Sequence, residues 1–174
     1  MSTLAVNNLT TQTGSTITLA SGKTLTQPGA VLQVRQAVNA THNSHNSASW
    51  AASSLVHTIT PKFATSQVLV QFTGVIRVYN TSGNDARTAW RIYRQIGSGS
   101  WAQLGTHQMT HRSYDYGGSG HITDIPSHMQ YLDTPNTTST IGYKLYLYKE
   151  AGTAGEWNPD GDDESYVTLW EIAQ

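Results

Sequence analysis

The chain has 174 residues and a net charge of −1, and its 12% charged residues are about half the usual share of a soluble domain. It contains 24 Thr, 17 Ser and 15 Gly, which favour strands and turns over helices, and it has no cysteine. These figures exclude a disulfide framework, a thiolate metal site and the strongly basic surface that binding to nucleic-acid phosphates requires.

The first residues, MSTLAVNNLT, lack the charged and apolar regions of a signal peptide. No apolar run approaches the roughly 20 residues of a membrane-spanning helix. We therefore expect no membrane insertion and no nucleic-acid partner, and we expect the chain to be made and folded in a cytosol.

The N-terminal segment, residues 1–34, is rich in Thr, Ser and Gly and contains no aromatic residue. Ile17 and Leu19 alternate with threonines, and Pro28-Gly29 provides a turn signal. Strands this short and poor in large side chains cannot bury enough surface to be stable alone. The sequence therefore predicts a short extended β-arm or shaft over residues 1–34, which packs against a partner chain or a larger particle.

Residues 35–174 have the pattern of a β-sandwich. Over residues 68–78 apolar side chains take every second position, and Gly74 takes the one such position without a side chain, which predicts a bulge or a close backbone contact. No window of ten or more residues keeps a helical period. The predicted strands are residues 31–38, 55–60, 68–79, 89–96, 106–112, 129–133, 141–148 and 166–173, with a hairpin into 101–104. This spacing predicts an all-β fold, a β-sandwich of the jelly-roll type.

Six segments carry a resemblance to a known group of proteins. They are TITLASGKTL (16–25) with PGAVLQV (28–34), ITPK (59–62) with VLV (68–70), YLDTPNTTS (131–139) and TLWEIAQ (168–174). In this order they resemble segments of tail-fibre and appendage proteins of tailed bacteriophages, which are common in marine and cyanobacterial phages. Residues 107–128 and 150–165 match no segment of that group.

The resemblance implies a structural protein of the virion exterior, on the tail or the capsid surface, made in the cytoplasm of a bacterial host. It also implies a homotrimer with a β-sandwich head, in which residues 1–34 attach the protein to other virion proteins. A small sandwich with an unpaired arm leaves open strand edges, and symmetric assembly would cover them.

Two loops hold the candidate ligand-binding residues. Residues 112–120 mix Tyr, Ser and Gly, as binding loops do, and residues 157–164 combine an aromatic ring with acids. Aromatic rings can stack on the faces of sugars, and carboxylates can accept hydrogen bonds from sugar hydroxyls. The candidates are Tyr114, Asp115, Tyr116, Trp157 and Asp160. In the alternative interpretation, the first loop is a flexible connection whose tyrosines lie on the sandwich.

No metal site is predicted. Asp160, Asp162 and Asp163 offer oxygen ligands for Ca²⁺, but their segment does not follow the EF-hand spacing, so a solvated acidic turn is the favoured interpretation. The histidine pairs 42/45 and 107/111 have spacings that bind metal on a helix, whereas residues i and i+4 of a strand lie about 13 Å apart. A histidine at a trimer axis would be repeated in one site, but the sequence does not select one.

We expect no enzymatic activity and no cofactor. No nucleophile motif precedes a predicted helix, and Gly97-Ser98-Gly99 falls in a predicted hairpin turn. Asp115 and Asp124 could act as a carboxylate pair, but a small sandwich offers little cleft between them. No phosphate-binding loop or dinucleotide fingerprint is present.

Tyr146 and Tyr148 alternate with Lys144 on a predicted strand face that is too apolar for plain solvent exposure. Either these tyrosines lie under a neighbouring strand or loop, or they form the subunit interface of the trimer.

Three functions stay open at this point. The first is a trimeric tail fibre or appendage that presents loops to a host-surface glycan. The second is a capsid decoration protein, of the cement or head-fibre kind, that stabilises the shell. The third, a more distant alternative, is a free-standing lectin-like domain.

Overall fold

The structure is a computed structural model that describes residues 27–174 except residues 84, 107, 119, 161 and 162. Most of the predicted β-arm, residues 1–26, lies outside the described residues. The described residues form β-strands and contain no helix, and so they include no helix of the length and apolarity needed to cross a membrane.

The strands vary in length from two to fourteen residues. They are β1 (Val31–Asn39), β2 (Asn43–His45), β3 (Ala51–Ile59), β4 (Gln67–Asn80), β5 (Asp85–Ile96), β6 (Ala102–Gln103), β7 (Met109–Tyr114), β8 (His121–Asp133), β9 (Ile141–Ala151), β10 (Ala154–Trp157) and β11 (Ser165–Ile172).

The strands form two sheets in which all paired neighbours are antiparallel. The first sheet has the order β1-β11-β4-β8, and the short strands β10 and β2 continue it beyond the end of β11. The second sheet has the order β3-β9-β5-β7, with β6 beside the end of β5. The eight longest strands are β1, β3, β4, β5, β7, β8, β9 and β11. If they are renumbered 1 to 8 in chain order, the two sheets have the strand orders 1-8-3-6 and 2-7-4-5, which is the jelly-roll arrangement. The predicted fold class is confirmed.

The hydrophobic core lies between the two sheets. The alternation over residues 68–78 directs every second side chain of β4 into this core, as the sequence predicts. Large side chains in the core include Leu55, Phe72, Trp90, Ile92, Tyr143, Leu145, Trp157 and Leu169. Burying one such side chain fully stabilises the folded state by about 1.5 to 3 kcal/mol. The strands that alternate most regularly therefore each contribute several such side chains to the stability of the core.

Gly74 lies on the buried face of β4, where this strand changes its partner from β11 to β10. A Cβ atom at this position would lie 2.7 Å from the Trp157 ring and 3.0 Å from Cβ of Ser165. The pairing with β8 runs through Gly74 without a shift in register. Of the two predicted alternatives, the close contact is therefore the correct one.

The boundary between arm and sandwich falls earlier than predicted. β1 begins at Val31 and pairs with β11 up to Asn39, so residues 31–34 belong to the first sheet. The backbone hydrogen bond from Gly29 N to Ala173 O, 2.8 Å long, extends this contact further toward the N-terminus.

β8 is much longer than the predicted strand over residues 129–133. It pairs with β4 from Asp133 back to His121. The first half was missed because its inward face is mostly polar: Thr123 and Ser127 flank a single apolar residue, Ile125, while Ile122 lies on the exposed side. Pro126 is tolerated because β8 is an edge strand with β4 as its pairing partner.

Candidate functional site

The turn between β7 and β8 borders an open cavity of about 380 Å³ at the edge of the second sheet. Arg112 and Tyr114 occupy alternate positions of β7, and Tyr116 follows beyond its end, so the three side chains lie on one side and line the cavity. Tyr116 is 92% exposed, and its ring meets that of Tyr114 edge-on with 4.9 Å between centroids. The Arg112 guanidinium lies 5.3 Å from the Tyr114 ring centroid. The cavity thus combines two aromatic rings with a cation.

Arg112 is held in place by an ionic contact with β5. Its Nε donates to Oδ1 of Asp85 at 2.9 Å, and Arg87 contacts the other oxygen of the same carboxylate at 2.9 Å. Arg87 and Arg112 are direct neighbours across the two strands. Because two guanidinium groups share one carboxylate, this group of three side chains keeps a net positive charge. Asp85 and Arg87 were not among the sequence candidates, since only the pairing of β5 with β7 brings them beside Arg112.

Asp115 is separated from the two tyrosines that flank it. Strand alternation directs it away from the cavity side, and its Oδ1 accepts a hydrogen bond of 2.9 Å from the backbone N–H of Gly117. The carboxylate therefore shapes the turn, and the cavity-lining residues do not include it.

The prediction that Trp157 stacks on a sugar is wrong. β10 continues the alternation of the first sheet and directs Trp157 into the core, where it is 1% exposed and lies against Gly74. In the sequence Trp157 precedes a run of acids and was assigned to their loop. A strand as short as β10 contains too few residues for an apolar alternation to be recognised.

Asp160 is exposed, but it belongs to an ionic cluster on the first sheet, centred on Arg77. Arg77 Nε and Nη2 donate to the two oxygens of Asp124 at 2.6 and 2.8 Å, and Nη2 also donates to Asp160 at 3.1 Å. Glu156 lies 3.8 Å from Arg77 and 3.6 Å from His42. The hydrogen bonds from Arg77 hold the pKa of Asp124 below its ordinary value. Asp124 is thus committed to a salt bridge and is not paired with Asp115.

The calcium alternative lies partly outside the described residues, because Asp162 is among those left undescribed. In the part of the chain that the structure describes, no group of three or more His, Asp or Glu side chains is placed to hold a metal ion.

Replacing Arg77 with glutamine should lower the free energy of unfolding by about 1 kcal/mol near neutral pH, a typical value for well-formed surface ion pairs. The pKa of Asp124 is lowered by folding, so the stabilisation is present above the ordinary pKa of aspartate and is lost as the pH falls through the lowered value. Urea unfolding of both proteins at about pH 7 and about pH 3 measures this difference, which should shrink at the lower pH. Arg35→Gln, on the exposed strand β1, is the control, and an equal difference at both pH values would contradict the prediction.

Tyr146 and Tyr148 lie on the outer face of the second sheet, and both contact aromatic rings of their own chain. Tyr146 stacks on Tyr93 of β5 with 3.8 Å between centroids, and Tyr148 lies 5.2 Å from Trp50, which precedes β3. The sequence left two alternatives, tyrosines covered by a neighbouring strand or loop and tyrosines in a subunit interface. Trp50 covers Tyr148 as the first alternative predicts. A role in a subunit interface stays a prediction.

Two cations and another indole extend this aromatic face. The Arg91 guanidinium lies 4.2 Å from the Trp50 ring centroid, and Lys144 Nζ lies 4.6 Å from that of Trp101. Trp101 packs on Gly142 of β9, where a Cβ atom would lie 2.9 Å from its Cη2. The alternation in β5 and β9 is the sequence signal for this surface, and Lys144 with the two tyrosines is the part of it that the sequence pattern alone indicated.

No protein-family model matches the chain, and no curated protein matches it. Among solved structures it is similar to the Eiger TNF of S. frugiperda, with 14% identity and a TM-score of 0.35 over 62% of this chain and 60% of that chain. It is also similar to VP2 of infectious bursal disease virus, with 11% identity and a TM-score of 0.33 over 91% of this chain and 41% of that chain. The chain thus spans less than two thirds of either protein. Because both TM-scores are low, the jelly-roll fold is assigned from the strand order alone.

Proposed function

We propose that the chain is a non-enzymatic structural protein of a virion exterior, whose jelly-roll head presents the cavity of Arg112, Tyr114 and Tyr116 to a glycan of the host surface. The observation that carries this proposal is the exposure of the Tyr116 ring beside a second tyrosine and a guanidinium. An aromatic face can stack on the C–H face of a sugar, and a guanidinium can donate to its hydroxyl or carboxylate oxygens.

The sequence resemblance to tailed-phage appendage proteins supports the virion part of the proposal. In this proposal the chain forms a homotrimer, the residues before β1 attach it to other virion proteins, and the jelly-roll head faces outward. The cavity chemistry supports binding over catalysis, because the side chains that line it are an arginine and two tyrosines. Glycoside hydrolysis uses a pair of carboxyl groups flanking the scissile bond.

Replacing Tyr116 with alanine should weaken binding to host cells or host glycan about tenfold, the equivalent of about 1.4 kcal/mol. The ring is almost fully exposed, so the thermal unfolding temperature should not change. Phe63→Ala, which removes another exposed ring from a different part of the surface, is the matched control. Unchanged adsorption by the Tyr116 variant would contradict the proposed function.

A second candidate, capsid decoration, is favoured by an apolar row across the outer face of the first sheet. Val34, Trp170, Leu69 and Leu132 are successive neighbours across four strands, and Val34 and Leu132 are 45% and 48% exposed. Exposed apolar rows of this kind suit contact with another protein. On a capsid, this row would face a shell subunit.

The copy number per purified particle, measured by quantitative mass spectrometry against the major shell protein, separates the two candidates. A small multiple of three supports a tail or fibre location. A number close to that of the shell protein supports decoration, and it would overturn the receptor-binding proposal.

A further inference from the structure

We infer that the outer face of the second sheet binds an extended acidic polysaccharide, which runs from the cavity of Arg112, Tyr114 and Tyr116 along β5 toward Trp101. This inference rests on the proposed function, because it names the class of glycan and lengthens its site. From Asp85, beside the cavity, to Tyr93, near Lys144 and Trp101, the face extends about 27 Å at about 3.4 Å per residue. A single sugar cannot fill that length.

Aromatic rings lie along the whole of this face. From the cavity they follow as Tyr148 with Trp50, then Tyr146 with Tyr93, and finally Trp101. All five are half-buried, so each ring is fixed on the sheet and still reaches solvent. Rings held by stacking and by the Gly142 contact lose little conformational freedom when a ligand binds. The face is therefore preorganised for a ligand with repeated flat units.

The charge on this face is positive, although that of the chain is −1. Its outward strand positions carry four cations, Arg87, Arg91, Arg112 and Lys144, against two acids, Asp85 and Glu150. Among the described residues no acid forms an ion pair with Arg91 or Lys144. Arg91 instead donates to the side-chain oxygens of Gln103 and Gln108, at 2.7 and 2.6 Å, which leaves its charge uncompensated. Carboxylate, sulfate or phosphate groups along a glycan would supply the missing anions.

A second copy of the chain is a less suitable occupant. If two copies met through this same face, Arg91 and Lys144 of one would approach the same cations of the other, which is unfavourable. The exposed apolar row on the first sheet lacks this charge and is better suited to contact with another protein.

The test is affinity gel electrophoresis of the full chain in gels that contain a polyuronate, or uncharged dextran of similar length. We expect the polyuronate to retard the protein much more than dextran does, and we expect added salt to reduce the retardation. Arg91→Gln and Lys144→Gln should each weaken binding about tenfold. Arg35→Gln and Lys62→Gln remove the same charge outside this face and should bind like the unmodified chain.

Gly142→Ala provides an independent variant, because a Cβ atom there displaces Trp101 without removing any charge or ring. It should weaken binding to long polyuronate chains and leave binding of a uronate monosaccharide unchanged. The thermal unfolding temperature of each variant shows whether it is folded.

Each other outcome has a definite meaning. If binding needs Tyr116 but is unaffected by Lys144→Gln and Gly142→Ala, the ligand is confined to the cavity; the inference then fails while the proposed function stands. If neither polymer nor host glycan binds the folded chain, both fail. Equal affinity for a single-stranded oligonucleotide would overturn the assignment to a polysaccharide. Protection of this face from hydrogen exchange in a trimer would assign it to a subunit interface and also overturn the inference.

Discussion

Replacing Gly74 with alanine should lower the free energy of unfolding by about 3 kcal/mol, at the upper end of what overpacking a core usually costs. The added Cβ would lie 2.7 Å from the Trp157 ring, 3.0 Å from Cβ of Ser165 and closer still to the Ser165 hydroxyl. Neither neighbour has room to move, because Trp157 is enclosed in the core and Ser165 Oγ donates to the buried side-chain oxygen of Asn158. At about 2 to 4 °C per kcal/mol, the unfolding temperature should fall by about 6 to 12 °C.

Gly99→Ala is the control for this experiment. Gly99 lies in the exposed turn after β5, and among the described residues an added Cβ would meet just the Ile96 carbonyl oxygen, at 3.1 Å. We expect it to change stability by less than about 1 kcal/mol. A Gly74 variant as stable as the Gly99 variant, by calorimetry or urea unfolding, would show that the contact between β4 and Trp157 is looser than described.

Replacing Asp133 with asparagine should lower the free energy of unfolding by about 3 kcal/mol, since it removes a buried carboxylate from its ion pair with the half-buried Arg94 and leaves the arginine charged. Asp133 is 3% exposed and accepts two hydrogen bonds of 2.7 Å, from Arg94 Nη1 at Oδ1 and from the Tyr143 hydroxyl at Oδ2. An amide has one acceptor oxygen, so its NH₂ group must face a donor. Burial and the negative charge of Asp133 raise the pKa of Tyr143, which keeps the phenol as the hydrogen-bond donor.

Tyr143→Phe is the matched variant, because it removes the hydroxyl and keeps the carboxylate with its arginine. It should cost about 2 kcal/mol, within the range for one hydrogen bond to a charged acceptor. Urea unfolding of the two single variants and the double variant gives the coupling between them. A loss of less than about 1 kcal/mol for the Asp133 variant would contradict the prediction.

The fold was predictable where the chain alternates strongly. β4 and β9 carry large apolar side chains at every second position, so their spans and core faces follow directly from the sequence. β10 and the first half of β8 could not be found in this way. β10 is four residues long, and β8 places threonine and serine inward near its start. These segments become strands because β4 offers them hydrogen-bond partners, and that information is non-local.

The candidate site was predicted only in part for the same reason, because strand pairing is non-local. Tyr114 and Tyr116 were predicted from a Tyr-, Ser- and Gly-rich segment, and the structure brings them together on one cavity. Asp115 was grouped with them by proximity in sequence, whereas alternation at the end of β7 separates it. Asp85 and Arg87 lie far from the tyrosines in sequence and come beside Arg112 through strand pairing, which a linear motif does not reveal.

The pairing of β1 with β11 has a mechanical consequence. The two strands run antiparallel from Val31 to Asn39, and the side chains of Gln33 and Glu171 reinforce the ladder with a 2.6 Å hydrogen bond. A pull on the chain N-terminal to Val31, directed along β1, loads these hydrogen bonds in shear. The bonds then share the force and must break together, whereas a pull across the strand would open them one at a time. Anchored from that side, the head would resist detachment under tension far better than an unzipping geometry would allow.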